Sequence, residues 1–187
     1  TNIAGTAYGP ELSFNTCPAA PTVGAITQPT CAVATGSVFL TGLPIRGTFQ
    51  WTITISPGGT TITGSGNSTT ITDLAAGTYN FTVSMVGCIS PASENVVINP
   101  QPATPTATIS DPITVCKDAP NPSVTFTGVG GTPPYTFSYG FNDSAPLYVT
   151  TSGENSSVEV DVTLETAALI DYRLWSVTDI NGCSSTY

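Results

Sequence analysis

The stretch SSVEVDVTLE, residues 156–165, decides the fold class. Val158, Val160, Val162 and Leu164 alternate with Glu159, Asp161 and Glu165. A period of two puts the valines on one face of an extended strand and the carboxylates on the other. One face is therefore core and the other solvated. Outward from this stretch, similar short runs recur: SVTFTG (123–128), YRLWSV (172–177), TYNFTVSM (78–85) and TFQWTITI (48–55). Between the runs, SPGG (56–59), GSGN (64–67) and LAAGT (74–78) supply Gly and Asn where a tight turn needs positive φ. In the first half, strands are expected at 22–26, 37–41, 49–55, 60–63, 69–71, 79–85 and 95–98, the spacing of a β-sandwich. The chain reads as all-β.

Composition narrows the function. Only 8% of the 187 residues are charged, against about a quarter in an average soluble protein. No apolar run approaches the roughly 18 residues of a spanning helix. Net charge is −9, with Arg46, Lys117 and Arg173 as the whole basic complement. No basic face for phosphates or anionic lipids can be assembled from three cations, which excludes nucleic acid and membrane surfaces as partners. Histidine is absent, removing Ser-His-Asp and Cys-His catalysis and imidazole metal sites. Without an initiator methionine or a signal peptide, the chain reads as a processed product or a piece of something longer.

Two proline-rich stretches, CPAAPT (17–22) and NPQPATPTA (99–107), punctuate the sequence as stiff spacers. They delimit residues 1–17, the end of a preceding module; 18–102, module one; and 103–187, module two. The modules are distant copies. CAVATGSVFLTG (31–42) matches CKDAPNPSVTFTG (116–128), and TYNFTVSMVGCIS (78–90) matches DYRLWSVTDINGCSS (171–185). Such repetition signals an array of domains. Module one ends in a strand within ENVVINP (94–100), whereas the SSTY after Cys183 is too short for one, so module two is expected to lack its last strand. The leader TAYGPELSFNT (6–16), with Leu12 and Phe14 on one face, is a strand without a domain. Either the chain is a window cut from a longer one, or the leader of one copy completes module two of the next by donor-strand addition.

Four of the five cysteines occupy equivalent places, Cys31 and Cys88 in module one and Cys116 and Cys183 in module two. The expected pairing is within modules, Cys31 with Cys88 and Cys116 with Cys183. Closing a loop of about 60 residues contributes up to about 4 kcal/mol in the chain-entropy model. Cys17 is left over, to pair outside this chain or remain a thiol. A zinc site is the weaker alternative, for want of CxxC spacing and histidine. Disulfides imply an oxidising, extracytoplasmic setting.

QPTCAVATGSV (28–38) with GTFQWTITISPGGTTITGSGNSTTITDLAAGTYNFTVSMVGCISPASENVVINPQPATPTA (47–107) resembles the Ig-like repeats of giant cell-surface proteins of Bacteroidetes. TVCKDAPNPSVTFTGVGGTPPYTFSYGFNDS (114–144) and VTDINGCS (177–184) resemble a second repeat type of those proteins, which include SprB-like gliding adhesins. The leader is similar to the last strand of a fibronectin-III-like module. The resemblance implies two tandem Ig-like sandwiches joined by a Pro-rich linker, and a parent exported by the type IX system and anchored at the outer membrane. It implies a spacer and adhesive stalk, with gliding motility as one use.

Candidate sites are few. Glu159 and Asp161 share a strand face, but glycosidase carboxylates flank a cleft from separate elements, so no catalytic residue is assigned. DING (179–182) and FNDS (141–144) make Asp143 and Asp179 the calcium candidates, although each stretch lacks the oxygen-rich spacing of a calcium loop. Asp143-Ser144-Ala145 matches an O-glycosylation pattern, placing a sugar on Ser144; Asn67, Asn80, Asn142 and Asn155 match N-x-S/T. If Tyr172 and Leu174 face the core, Trp175 points outward beside Arg173, as a platform for a sugar ring or as packing beneath a neighbouring loop. The expected core is Val38, Leu40, Trp51, Tyr79, Phe81, Val83, Val124, Phe126, Tyr135, Phe137, Val158, Val160, Tyr172 and Leu174. The expectation is a non-catalytic, cofactor-free adhesin segment whose partners are neighbouring modules, a surface polysaccharide or another copy by strand addition. The rivals are a carbohydrate-binding module of a secreted polysaccharide-degrading enzyme and a self-assembling fibre subunit.

Overall fold

The structure, a computed structural model, describes residues 17–110, 123–141, 145–161 and 172–187. All of its regular elements are strands. The chain divides into two compact units: Gly36–Ile98, with the chain up to Thr27, forms the first, and Gln28–Thr35 with Asn99–Tyr187 forms the second. The sequence-based boundary at 102/103 thus falls a few residues late. The excursion Gln28–Thr35, read as part of module one, belongs to unit 2.

Unit 1 contains β1 (Thr22–Thr27), β2 (Gly36–Thr41), β3 (Trp51–Ser56), β4 (Thr61–Gly64), β5 (Ser68–Leu74), β6 (Gly77–Met85), β7 (Cys88–Ile89) and β8 (Val96–Ile98). One sheet has the order β1-β2-β5; the other runs β4-β3-β6-β7, with β8 also on β6. All pairs are antiparallel. The inward residues of both sheets form one core, with Val38, Leu40, Ile53, Phe81, Val83 and Val96 fully buried. This is a sandwich. Trp51 fills the core opposite Gly64, its Nε1–H donating to Gly66 O at 2.8 Å. Tyr79, expected inside, packs against the cluster while partly exposed.

The outer edge of β6 is completed in an irregular way. A two-residue turn, Val86 (φ 51°) and Gly87 (φ 77°), folds β7 back onto β6. Positive φ at both positions is the type I′ geometry that suits the twist of a hairpin. Pro91, which has no N–H, then interrupts the ladder. There Ser90 Oγ accepts from Val83 N at 2.9 Å and Ser93 Oγ accepts from Phe81 N at 3.0 Å. The two serines also donate their own N–H groups to Val83 O and Phe81 O. Two hydroxyls stand in for the missing strand until β8 resumes the pairing.

Unit 2 repeats the plan. Its strands are β9 (Thr106–Ile109), β10 (Ser123–Val129), β11 (Thr136–Phe141), β12 (Leu147–Thr150), β13 (Ser157–Asp161), β14 (Tyr172–Thr178) and β15 (Ser184–Thr186). The orders β9-β10-β13 and β12-β11-β14-β15 match β1-β2-β5 and β4-β3-β6-β7 of unit 1, with no counterpart of β8 among the described residues. Phe126 stacks on Phe137 (centroids 5.7 Å apart) and meets Tyr139 at 4.8 Å. Val124, Tyr135 and Val177 close the cluster, with Val158, Val160 and Leu174 packed against it. In β13 the valines are half-buried while Glu159 and Asp161 are exposed, as their alternation requires. Residues 162–171, and with them Val162 and Leu164, lie outside the described residues, as does the side chain of Tyr172.

Two expectations are corrected. SSTY does form a strand: β15 pairs with β14 from Ser176↔Thr186 to Thr178↔Ser184. Three residues suffice because a ready strand edge accepts them, and Tyr187 N–H extends the contact to Trp175 O at 2.9 Å. The disulfides also differ, joining Cys17 to Cys88 and Cys31 to Cys183, each with Cα atoms 5.3 Å apart. Cys17 is therefore bonded within the chain, and Cys31 does not pair with Cys88 nor Cys183 with Cys116. Spatial approach selects partners, not equivalence in a repeat. Gln101 Nε2 donates to Thr30 O and Cys31 O, and Asn99 N–H to Gln28 Oε1. These bonds hold the Cys31 loop on the proline-rich segment within unit 2. Cys116 and the leader, residues 1–16, lie outside the described residues.

Candidate functional site

The face of the β12-β11-β14-β15 sheet turned away from the core is built by register. Phe137, Tyr139 and Val177 point inward, so Ser138 and Gly140 of β11 point outward. Ser138 stands between Tyr148 of β12 on one side and Ser176 of β14 on the other. The pairing of β11 with β14 shifts between Ser138 and Tyr139, leaving Trp175 as the extra residue of a bulge. A bulge re-aims a side chain: here the indole lies across Gly140, where an added Cβ would come within 2.5 Å of Cη2. Trp175 is consequently half-buried, Arg173 beside it is exposed and Tyr148 is 69% exposed, while Ser138 is nearly covered.

This arrangement offers an aromatic edge at Trp175, a more open ring at Tyr148, hydroxyls between them and one cation. Alternation about Tyr172 and Leu174 indicated the outward sense of Trp175, but the placement of its ring against Gly140 depends on the bulge, which the sequence does not announce. Tyr148 was missed. Its signal was present in LYVT, where Leu147 and Val149 alternate with it.

Asp179 does different work. It is 5% exposed, and its oxygens accept from Cys183 N at 2.9 Å and Thr132 N at 3.0 Å. Asn181 Nδ2 adds a longer contact at 3.5 Å, and Ile180 N donates to Thr132 O. The carboxylate thus latches the turn after β14 to the loop before β11. Its lone pairs are directed at N–H donors, and no group of three His, Cys, Asp or Glu side chains gathers among the described residues. Asp143 and Ser144 lie outside them. In unit 1, a cleft of about 190 Å³ beside the Cys17–Cys88 bond is lined by Ile45, Arg46, Met85 and Val86. Ile45 and Val86 are largely exposed there.

The two units, with one strand order and paired antiparallel sheets over separate cores, define an all-β tandem-sandwich protein with internal disulfides. No protein-family model matches the chain, and no curated protein matches it. Among solved structures it is similar to the chicken CNTN1 FN1-FN3 domains, at 14% identity and a TM-score of 0.36 over 91% of this chain. The match covers 61% of that chain, less than two thirds of its length. It is also similar to the human OSCAR ligand-binding domain, at 14% identity and TM-score 0.33 over 87% of this chain and 89% of that one. A two-domain fibronectin type-III segment of chicken tenascin has 16% identity and TM-score 0.33, over 87% and 90%. The fold class rests on the strand orders above. Among the described residues no helix is long and apolar enough to cross a membrane.

Proposed function

We propose that this chain is a non-catalytic segment of a long extracellular adhesin or surface filament, acting as spacer and adhesive stalk. The observation that carries the reading is one sandwich plan used twice in succession, with a disulfide in each unit. Repeats of this kind set a length, and disulfides belong to oxidising compartments. The likeness of the sequence to repeats of gliding adhesins supports an outer-membrane-anchored parent, with gliding as one use. The test is protease shaving of intact cells that make the protein. Cleavage yielding the peptide 118–173, and 47–117 once the shaved material is reduced, is expected, and complete protection of both in unbroken cells would overturn the reading.

A second reading, glycan binding, is favoured by the face carrying Trp175, Tyr148 and Arg173. A sugar ring would stack on the aromatics, and Ser176 or Thr186 would take its hydroxyls. Titration with surface polysaccharide, read by tryptophan emission, should show saturation that Trp175→Ala and Tyr148→Ala abolish. Strand addition between copies is the third reading; it requires polymers that dissolve when residues 1–16 are removed.

A further inference from the structure

The two disulfides overlap in sequence, and overlap has a mechanical consequence that separate staples lack. Cys31 lies within the span closed by Cys17–Cys88, and Cys88 lies within the span closed by Cys31–Cys183. A chain pulled from before Cys17 and after Cys183 has more than one covalent route, and the shortest carries the tension once taut. That route runs along the backbone from Cys17 to Cys31 and crosses the sulfur bridge to Cys183. The rival routes cross first to Cys88 and then follow the backbone either back to Cys31 and its bridge or on to Cys183, and both are longer.

We infer that this segment is a covalently length-limited tether whose two sandwich cores lie off the line of force. This inference rests on the stalk reading for its biological use, and on the bond connectivity alone for its mechanics. About 14 residues separate Cys17 from Cys31, so the two ends of the bridged region cannot part by more than about 50 Å plus one disulfide link, however far the sandwiches unfold. Without the bridges, the same ends are joined by about 166 residues and can part by about 580 Å.

The regular element on the direct route is β1, Thr22–Thr27. It is the outer strand of its sheet, pairs with β2 and carries a register shift between Val23 and Ile26. Its residues are mostly exposed. Tension therefore peels one poorly buried strand. The strands that hold Trp51 and Phe81 in unit 1, and Phe126 and Phe137 in unit 2, lie in the slack between Cys31 and Cys183. Serial staples, Cys31 to Cys88 and Cys116 to Cys183, would behave otherwise, because the backbone from Cys88 to Cys116 would join the direct route.

Force spectroscopy on the whole 187-residue chain, held by handles at its two ends, tests this. The free ends add about 20 residues, so the oxidised chain should reach a final length of about 120 Å and the reduced chain about 650 Å, a gain of about five-fold. Cys88→Ala should leave the oxidised length unchanged, because the direct route survives. Cys31→Ala should lengthen it to about 400 Å by forcing tension along residues 88–183. An oxidised length near 215 Å, the value for serial staples, would overturn the inference, as would lengthening in Cys88→Ala. A measurement independent of folding is a non-reduced tryptic digest of thiol-blocked Cys116→Ser. Fragments 1–46, 47–117 and 174–187 should remain linked as one species. Release of 174–187 would refute the connectivity, while leaving the stalk reading to be judged by the shaving experiment.

Discussion

Replacing Gly64 with alanine tests how unit 1 holds its tryptophan. Trp51 and Gly64 face each other across β3 and β4. A Cβ built on Gly64 lies 2.4 Å from Cη2 of the indole and 2.7 Å from Cζ2. Carbon atoms in contact prefer about 3.5–4.0 Å, so the ring must retreat by about 1 Å. It has nowhere to go: Trp51 is 2% exposed and tied to Gly66 O. Overpacking costs about 1–3 kcal/mol, and the displaced indole hydrogen bond adds about 1 kcal/mol. Alanine's smaller freedom in the unfolded chain offsets about 0.4–1 kcal/mol. The net loss of about 2 kcal/mol should lower the Tm of unit 1 by about 8–16 °C. Gly140→Ala in unit 2 is the matched control, since its Cβ would meet Trp175 at a similar 2.5 Å. That indole is half-exposed and can swing into solvent, so stability should change by less than about 0.5 kcal/mol while emission shifts to the red. Thermal melts by circular dichroism and fluorescence of the two variants read both effects. A Gly64→Ala protein melting within about 2 °C of the parent would refute the argument, as would equal losses in both variants.

Other perturbations address separate features. Ser90→Ala removes the acceptor of a buried backbone N–H, and urea titration should show a loss of about 1–3 kcal/mol in unit 1. Val86 is a β-branched, exposed residue held at φ 51°, so Val86→Asn should raise stability by about 1 kcal/mol in the same titration, Asn being at ease in this turn. Asp179→Ala strips the acceptor from two N–H groups and should cost unit 2 at least about 2 kcal/mol; a rise in the parent's Tm on adding millimolar calcium would contradict the latch assignment. Burial pushes the Tyr139 phenol above its ordinary value. A raised folded-state pKa gives stability that is full below the unfolded value of about 10 and is lost as pH rises through the folded value. Unit 2 should therefore melt progressively earlier above about pH 10, and Tyr139→Phe should flatten that slope.

Much of the fold was legible because strand alternation is a local signal. Val38 and Leu40, Phe81 and Val83, and Val124 and Phe126 announce their inward faces two residues apart, and each is buried. Ile53, Ile55, Ile71, Val96 and Ile98 are also core; they lie on strands the pattern located and were missed only as individual residues. What remained illegible depends on distance in space. Nothing in CISPASE signals that Ser90 and Ser93 complete the edge of β6, since serine hydroxyls bond equally well to water. Nothing in QPTCAVAT signals that Gln101 holds this loop in unit 2 and presents Cys31 to Cys183. At the candidate binding face, the outward direction of Trp175 was readable, but its ring position follows from a one-residue register shift.

The serine-filled edge of β6 also bears on how such proteins coexist. A stalk of similar sandwiches brings many sheet edges to high local concentration, where an open ladder of N–H and C=O groups invites pairing with the wrong neighbour. In unit 1, the β6 groups beside Pro91 are already occupied by Ser90 and Ser93. A foreign strand arriving there would have to expel both hydroxyls and displace a proline that cannot join a ladder. The irregular stretch that makes this sandwich look poorly formed therefore guards it against fusing with its copies.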